Sequence, residues 1–342
     1  MEHQMKNLLK YFVTRTLLAI PMIFILLSLV FVILRVMPGD PVVSMLGAHA
    51  PPEVIEQKRV ELGLNKPLIA QYFSYLGQLA RFDLGDSMIF HQKVSQPILD
   101  KLPATLELTL TGMLFVLAIG VPLGAYAANK RRTGRDFGIR LYGNIVYCIP
   151  VFWMGLMLQL IFGIWLGWFP IAGRTGSRIF VSTFEKTGFY IIDTLLAGNI
   201  HAFIDVLYHL FLPAITLGIV LSGIFVRLTR ANMLDVLRSD YVLAARARGI
   251  PEGRVVYRHA LKNAFIPILT MMGLQFALLL AGAILTETTF SWPGMGRLLL
   301  ERIYLRDYPT IQGVIVVFAL FVTAVSLIVD LAYAIIDPRV KY

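Results

Sequence analysis

The side chains that could do chemistry are few, and they lie at the edges of apolar runs. Ser222, in Leu221-Ser222-Gly223, lacks the G-x-S-x-G spacing of a nucleophile elbow. Its nearest histidine in sequence, His209, has no obvious orienting carboxylate beside it. A serine inside an apolar helix bonds to its own helix or a neighbour more readily than it attacks a substrate. No G-x-x-x-x-G-K-[ST] phosphate loop occurs, so ATP hydrolysis cannot be placed in this chain. The turn Asp83-Leu84-Gly85-Asp86-Ser87 offers too few oxygen ligands at the spacing of a calcium loop. A single cysteine, Cys148, rules out an internal disulfide framework and cysteine-based metal clusters. Glu107, Glu287 and Asp330 lie at the ends of apolar runs, and no run carries a charge in its middle. Proton-driven carriers usually need ionisable groups within the membrane, which leaves His209 as the best candidate relay.

One polar stretch does have a shape that suggests work. Ser239 to Gly249 lies between two apolar segments and reads as a short helix. Ser239 or Asp240 can cap its first free N–H groups. Tyr241 to Arg248 supply about two turns of mostly good helix formers. Gly249 suits the left-handed position after the helix, and Pro251 stops any continuation. Ala244, Ala245 and Gly249 give a low-relief face that would let another backbone come close, as a helix does in a partner's groove.

These features are positioned by a strongly apolar chain. Of 342 residues, 57% are hydrophobic and 15% charged, and the mean hydropathy is +0.71. This composition fits a polytopic membrane protein. The uncharged runs predict six spans: Thr16–Leu34, Leu108–Asn129, a third within Leu141–Gly173 kinked around Pro150, Val206–Val226 with Pro213 as a kink, Asn263–Thr286, and Pro309–Val329. The first run is too long for a signal-peptide core, so it is read as a retained span. Pro52–Leu62 and Pro67–Arg81 have the periodicity of short amphipathic helices, the second with Leu68, Tyr72, Tyr75, Leu76 and Leu79 on one stripe. Trp165, Trp168 and Phe169 read as an interfacial anchor.

The net charge of +10 is better explained by membrane orientation than by nucleic acid, because the cations cluster between spans. With the N-terminus inside, 18 of 31 Lys and Arg fall in the short inner segments, including Lys130, Arg131, Arg132 and Arg135. The positive-inside rule then places both termini and the Ala244 helix in the cytoplasm. The expected organisation is residues 1–36 as N-terminus and first span, 37–103 as an extracytoplasmic helical region, and 104–342 as a core of five spans with a cytoplasmic loop at about 235–262.

Here a resemblance enters. Ala244-Ala245-x-x-x-Gly249 resembles the EAA loop of permease subunits of ATP-binding-cassette importers. His259-Ala260-Leu261-Lys262-Asn263-Ala264 with Pro267 is similar to the dipeptide, oligopeptide and nickel branch. Leu243 stands where the general pattern has Glu, and Pro267 lies later than its usual proline. The likeness covers almost the whole chain: Met37-Pro38-Gly39-Asp40-Pro41, Leu62-Gly63-Leu64-Asn65-Lys66-Pro67 with Gln71-Tyr72, Leu102 to Leu108, Thr286-Glu287-Thr288, Phe290-Ser291-Trp292-Pro293-Gly294 and Asp307-Tyr308-Pro309 all resemble it. Within the branch the chain is most similar to the first of two permease subunits.

The resemblance implies an all-α fold with six transmembrane helices, of the type I importer permease kind, and a small helical extracytoplasmic insertion. It implies a multi-pass inner-membrane protein that is not an enzyme and holds no cofactor, with ATP and Mg in partner subunits. The implied partners are a second homologous permease, two ATP-binding-cassette ATPases and an extracytoplasmic substrate-binding protein. Asp240, Tyr241, Ala244, Ala245, Arg248 and Gly249 would couple to an ATPase. Glu287, Phe290, Trp292, Pro293 and Gly294 would form an outer loop near the path or the binding-protein docking surface, with a simple tight turn as the alternative. Peptides are the default cargo, with oligosaccharides or nickel chelates as alternatives, and an autonomous secondary transporter is a competing reading.

Overall fold

A computed structural model describes residues 2–36, 41–47, 50–61, 63–177, 179 and 186–336. Met37 to Asp40 and Leu62, which entered the sequence reading, lie outside the described residues.

The described chain is helical: α1 (Glu2–Val36), α2 (Pro41–Leu46), α3 (Pro52–Glu61), α4 (Leu68–Leu79), α5 (Ser95–Asn129), α6 (Gly134–Cys148), α7 (Val151–Leu158), α8 (Tyr190–Leu196), α9 (Ile200–Val236), α10 (Asp240–Ala247), α11 (Glu252–Arg254), α12 (Leu261–Thr289), α13 (Met295–Leu305) and α14 (Tyr308–Ile336). Four helices are long and apolar enough to cross a bilayer, and two bent pairs bring the number to six. The fold is thus the expected all-α polytopic one. α5 and α9, of 35 and 37 residues, are far longer than the roughly 20 residues a crossing needs, so both project beyond the apolar layer. The expected boundary at residue 103 falls inside α5, which is continuous through Pro103.

The sequence explains where the helices break. Pro150 forces Ile149 into an extended conformation, with ψ at 127°. The two arms, Gly134–Cys148 and Val151–Trp165, meet at 103°, so the third span is an elbow rather than a kinked rod. Its second arm continues as a π-helical segment, Gln159–Trp165. A 56° bend between Glu252–Phe265 and Pro267–Leu280 separates the approach to α12 from its membrane portion.

α5 and α9 form the centre of the molecule. A Cβ at Gly120 would stand 3.1 Å from the Ser222 carbonyl oxygen, and one at Gly124 would stand 2.7 Å from that of Val226. This small-xxx-small pair lets the two backbones touch, as close packing of membrane helices requires. α4 lies against α1, with the Tyr72 hydroxyl 2.5 Å from Ser28 Oγ and the Tyr75 ring stacked on Phe31 at 5.6 Å.

The stretch expected as a third outer loop, Glu287–Tyr308, is mostly helix. α12 runs through Thr289, a tight turn follows, and α13 returns over the bundle end before Arg306 closes it at φ +56°. Two of the expected inner segments, around residues 125–130 and 233–264, meet at one end, and expected outer ones, around 84–102 and 295–308, meet at the other. The ends of α5 and α9, α10 and the start of α12 share one apolar cluster. The starts of α5 and α14 share another with α13 and Val30 of α1.

Candidate functional site

At the first end, α10 is a helix with a buried back and a free front. Val242 is fully enclosed and Ala245 is 9% exposed. Both pack among Ala125 and Ala128 of α5, Met233 of α9, and Val255, Val256, Ala260 and Ala264 leading into α12. Ala245 is therefore part of the chain's own core, a correction to its expected place on a partner-facing surface: the helix needs a small residue there to approach its own bundle. Tyr241, Leu243, Ala244 and Arg248 are exposed. Tyr241, Ala244 and Arg248 follow helical spacing and make one outward stripe with Asp240 at its start.

Local chemistry fixes this helix at both ends. Ser239 has the extended backbone of a cap residue but makes no side-chain cap. Its hydroxyl instead donates to the Val236 carbonyl at 2.6 Å, another departure from the sequence reading. Gly249 takes φ +73°, as expected, and its N–H donates to the Arg246 carbonyl at 2.9 Å. Arg246 then forks onto Glu252, with Nε and Nη2 at 3.0 and 2.7 Å from its two carboxylate oxygens. That hydrogen bonding raises the Arg246 pKa above its ordinary value. Asn263 Nδ2 donates to the Tyr241 hydroxyl at 2.7 Å. Beside this unit, Asp136 of α6 is buried and accepts from Arg230 of α9 at 2.6 and 2.9 Å, while Lys130, Arg131, Arg132 and Arg135 are exposed.

At the opposite end the structure reveals a buried polar clasp that the sequence reading missed. Glu107 of α5 accepts from Arg174 at 2.5 and 3.1 Å and from the Ile191 N–H at 2.8 Å. Arg174 also donates to the Gly188 carbonyl at 2.7 Å and lies 3.6 Å over the Tyr190 ring. Both partners are enclosed, at 6% and 4% side-chain exposure. The available signal was a lone glutamate opening an apolar run and a lone arginine closing another.

Glu287, Phe290 and Trp292 are buried within this same end, at 0%, 1% and 0% exposure. They do not form an accessible docking surface. Glu287 accepts from Thr105 Oγ1 at 2.6 Å and from the Arg297 N–H at 3.0 Å. Thr105 in turn accepts from the Met295 N–H at 2.8 Å, and Trp292 Nε1 donates to the Ala104 carbonyl at 2.9 Å. Gly294 is required because a Cβ there would collide with the Glu287 carboxylate. Pro293, half-buried, completes the tight turn that the sequence offered as the alternative. Asp307 makes a third junction, accepting from Ser87 Oγ at 2.7 Å and Thr310 Oγ1 at 2.6 Å.

The other reactive candidates resolve into structural bonds within and between helices. Ser222 Oγ donates to the Ile219 carbonyl at 2.7 Å and lies 2.9 Å from the Tyr142 hydroxyl. His209 Nδ1 lies 2.9 Å from the Asp205 carbonyl and 3.5 Å from its carboxylate, so an acidic neighbour that the sequence reading overlooked stands one turn away. Thirteen residues of helix, roughly 20 Å, separate His209 from Ser222.

Two family models account for most of the chain. Residues 120–342 match the binding-protein-dependent transport system inner membrane component, and residues 8–109 match the N-terminal part of such membrane components. The Di/tripeptide transport system permease protein DppB of Pseudomonas aeruginosa (strain UCBPP-PA14) is 44% identical over 98% of this chain and 99% of its own length. The Dipeptide transport system permease protein DppB of Escherichia coli (strain K12) is 41% identical, with 98% and 99% covered. The Oligopeptide transport system permease protein AppB of Bacillus subtilis (strain 168) is 37% identical, with 97% and 99% covered.

Proposed function

The chain belongs to the binding-protein-dependent transport system inner membrane components, the permease subunits of ATP-binding-cassette importers, and from that premise we propose how it is coupled, what it assembles with and what it carries. α10 docks in a groove of a separate ATPase subunit through Tyr241, Ala244 and Arg248. Both termini and α10 lie on the cytoplasmic side. A second, homologous permease supplies the other half of the path, and an extracytoplasmic binding protein delivers the solute. ATP and Mg belong to the two ATPase subunits, so this chain performs no hydrolysis itself. The cargo is a di- or oligopeptide, a reading supported by the names of its relatives.

The observation that carries this reading is the two-faced burial of α10. Its back is wedged among the ends of α5, α9 and the segment entering α12. A displacement of the exposed front therefore reaches three spans through close-packed side chains, which transmit strain rather than absorb it. Coupling of this kind requires contacts that differ between two global states.

Ala244→Arg tests it. The position is exposed, so the fold tolerates the change while the groove does not. ATP-driven peptide uptake by the assembled transporter should fall at least about tenfold, equivalent to about 1.4 kcal/mol of lost docking. Unchanged uptake would reject docking through this face. This chain reconstituted alone should pass no peptide, and flux without partners would restore the autonomous-carrier reading.

A further inference from the structure

α4 carries a row of apolar side chains that the fold leaves largely uncovered. Its twelve residues, Leu68–Leu79, hold no charge, and none of them is buried. Helical spacing puts Gln71, Ser74 and Gln78 on one row, and Ile69, Phe73 and Leu76 on the row opposite. The polar row lines a cavity of about 460 Å³ bounded by the end of α1, the loop around Gly85 and the start of α14. The apolar row faces away from that cavity, with Ile69 72% and Phe73 66% exposed. A lone exposed apolar residue needs no explanation, but two large ones a turn apart on an uncharged helix mark a surface meant to be covered.

The level at which α4 meets α1 says what covers it. The Tyr72 hydroxyl lies 2.5 Å from Ser28 Oγ, and the Tyr72 ring meets those of Phe31 and Phe24 at 5.3 and 6.4 Å. Ser28 stands five residues inside the apolar stretch of α1, which runs Thr16–Ile33. At the α-helical rise that is about 8 Å below its end. In-plane amphipathic helices sit at this level, about 5–10 Å into the boundary between headgroups and acyl chains. Around the same level α1 itself exposes Ile25, Leu29 and Val32, as a span bathed in lipid does. Lys66 precedes α4 and Arg81 follows it, both exposed. Cations at the two ends of an uncharged segment can lay their stems along apolar surface and their charges at lipid phosphates.

We propose that α4 is a lipid-embedded arm lying in the membrane plane at the clasp end of the bundle. Ile69 and Phe73 sit among the acyl chains of that leaflet, Gln71, Ser74 and Gln78 face the polar cavity, and Lys66 and Arg81 meet lipid phosphates. Only 11% of the apolar window of α1 is buried within the fold, so the arm ties a peripheral span to the surface of the bilayer. The proposal requires a membrane but neither a particular cargo nor docking through α10.

The test uses the assembled transporter in nanodiscs of phosphatidylcholine and phosphatidylglycerol, without binding protein. In a Cys148→Ser background, a single nitroxide is attached in turn through Ile69→Cys, Phe73→Cys, Ser74→Cys and Gln78→Cys. Power saturation then reads its collisions with oxygen, which partitions into acyl chains, and with a water-soluble nickel chelate. The oxygen-to-nickel ratio at positions 69 and 73 should exceed that at 74 and 78 severalfold. A ratio at position 73 as low as at position 78 would put the row in water and overturn the proposal. Few collisions with either reagent at position 73 would mean that another polypeptide covers it, a second permease for example, and would overturn it equally. If the labelled variants fail to assemble, the unaltered transporter is photolysed in nanodiscs whose phosphatidylcholine carries a diazirine on its acyl chain. Adducts on Ile69 or Phe73 would sustain the proposal, and adducts on Ile25 or Leu29 with none on α4 would overturn it.

Discussion

The two ends of the bundle are built by opposite means. One is closed by buried charge: Glu107 on Arg174, Glu287 on Thr105 and the Arg297 N–H, and Asp307 on Ser87 and Thr310. The other is closed mainly by small and aliphatic side chains around Val242 and Ala245, with one ion pair on a buried carboxylate, Arg230 on Asp136, and a second, Arg246–Glu252, on the surface. A buried network tolerates few alternative geometries, because each donor lost strands an acceptor. An apolar seat has no donor or acceptor to strand, and its close packing passes a displacement on. The contrast fits a clasp that holds a frame and, on the proposed docking, an α10 that receives the push.

The largest effect that would break this comparison comes from Arg174→Ala. It leaves Glu107 enclosed with one backbone donor, and removing one partner of a buried pair costs about 3–5 kcal/mol. The thermal midpoint of the purified protein should drop by several degrees. Replacing both partners together, Glu107→Leu with Arg174→Met, should recover most of the loss, since apolar pairs of similar volume are often as stable. If the single and double replacements melt alike, the clasp is not held by this pair.

A smaller effect is expected at the other end from Gly249→Val. The backbone there is at φ +73° and a Cβ would meet nothing within 4 Å, so the cost is conformational, about 1–2 kcal/mol for an L-residue in the left-handed region. The thermal midpoint should fall by a few degrees at most, less than for Arg174→Ala. Peptide uptake should fall, because the docking stripe changes its angle. A large drop in melting temperature with full uptake would reverse the roles assigned to the two ends.

The same contrast explains what could be read from the sequence. Gly249, the break at Pro150 and the placing of the apolar runs, though not the helix limits, were legible because each is a local consequence: a residue type imposes a dihedral angle, or a run of apolar residues fills the membrane thickness. The clasp was not, because its partners are 67 residues apart in one case and 182 in another. Nothing local distinguishes a glutamate facing a distant arginine from one facing water at a helix end. The burial of Ala245 was hidden for a different reason. α10 carries small residues on both faces, and only the position of its own bundle decides which face is the back. Glu287, Phe290 and Trp292 read as surface because turn residues surround them, yet α13 folds back and covers them.

Weaker still is the surface clamp. Arg246 and Glu252 are 36% and 50% exposed, and exposed pairs contribute about 0.2–1 kcal/mol. Arg246→Ala should therefore shift stability by no more than that, and raising the salt concentration should erase the difference. Uptake should fall modestly, by loosening the loop that carries Gly249. A salt-independent loss as large as that of Arg174→Ala would mean that the α10 end is also locked by charge, and the distinction between frame and lever would fail.

Ser239→Ala gives the smallest effect and the sharpest reading of how α10 is held. A serine cap is worth about 1 kcal/mol when its oxygen accepts from the helix. Here the oxygen donates backward to Val236 at 2.6 Å instead, tying α10 to the end of α9 and leaving the helix start uncapped. The expected change is therefore within about 0.5 kcal/mol, the range of ordinary surface replacements, with uptake unchanged. A loss near the full cap value would show that in solution Ser239 turns toward its own helix. α10 would then be a self-sufficient unit hinged at residue 239, and its connection to α9 would have to run through the apolar cluster that Val242 and Ala245 share with Met233.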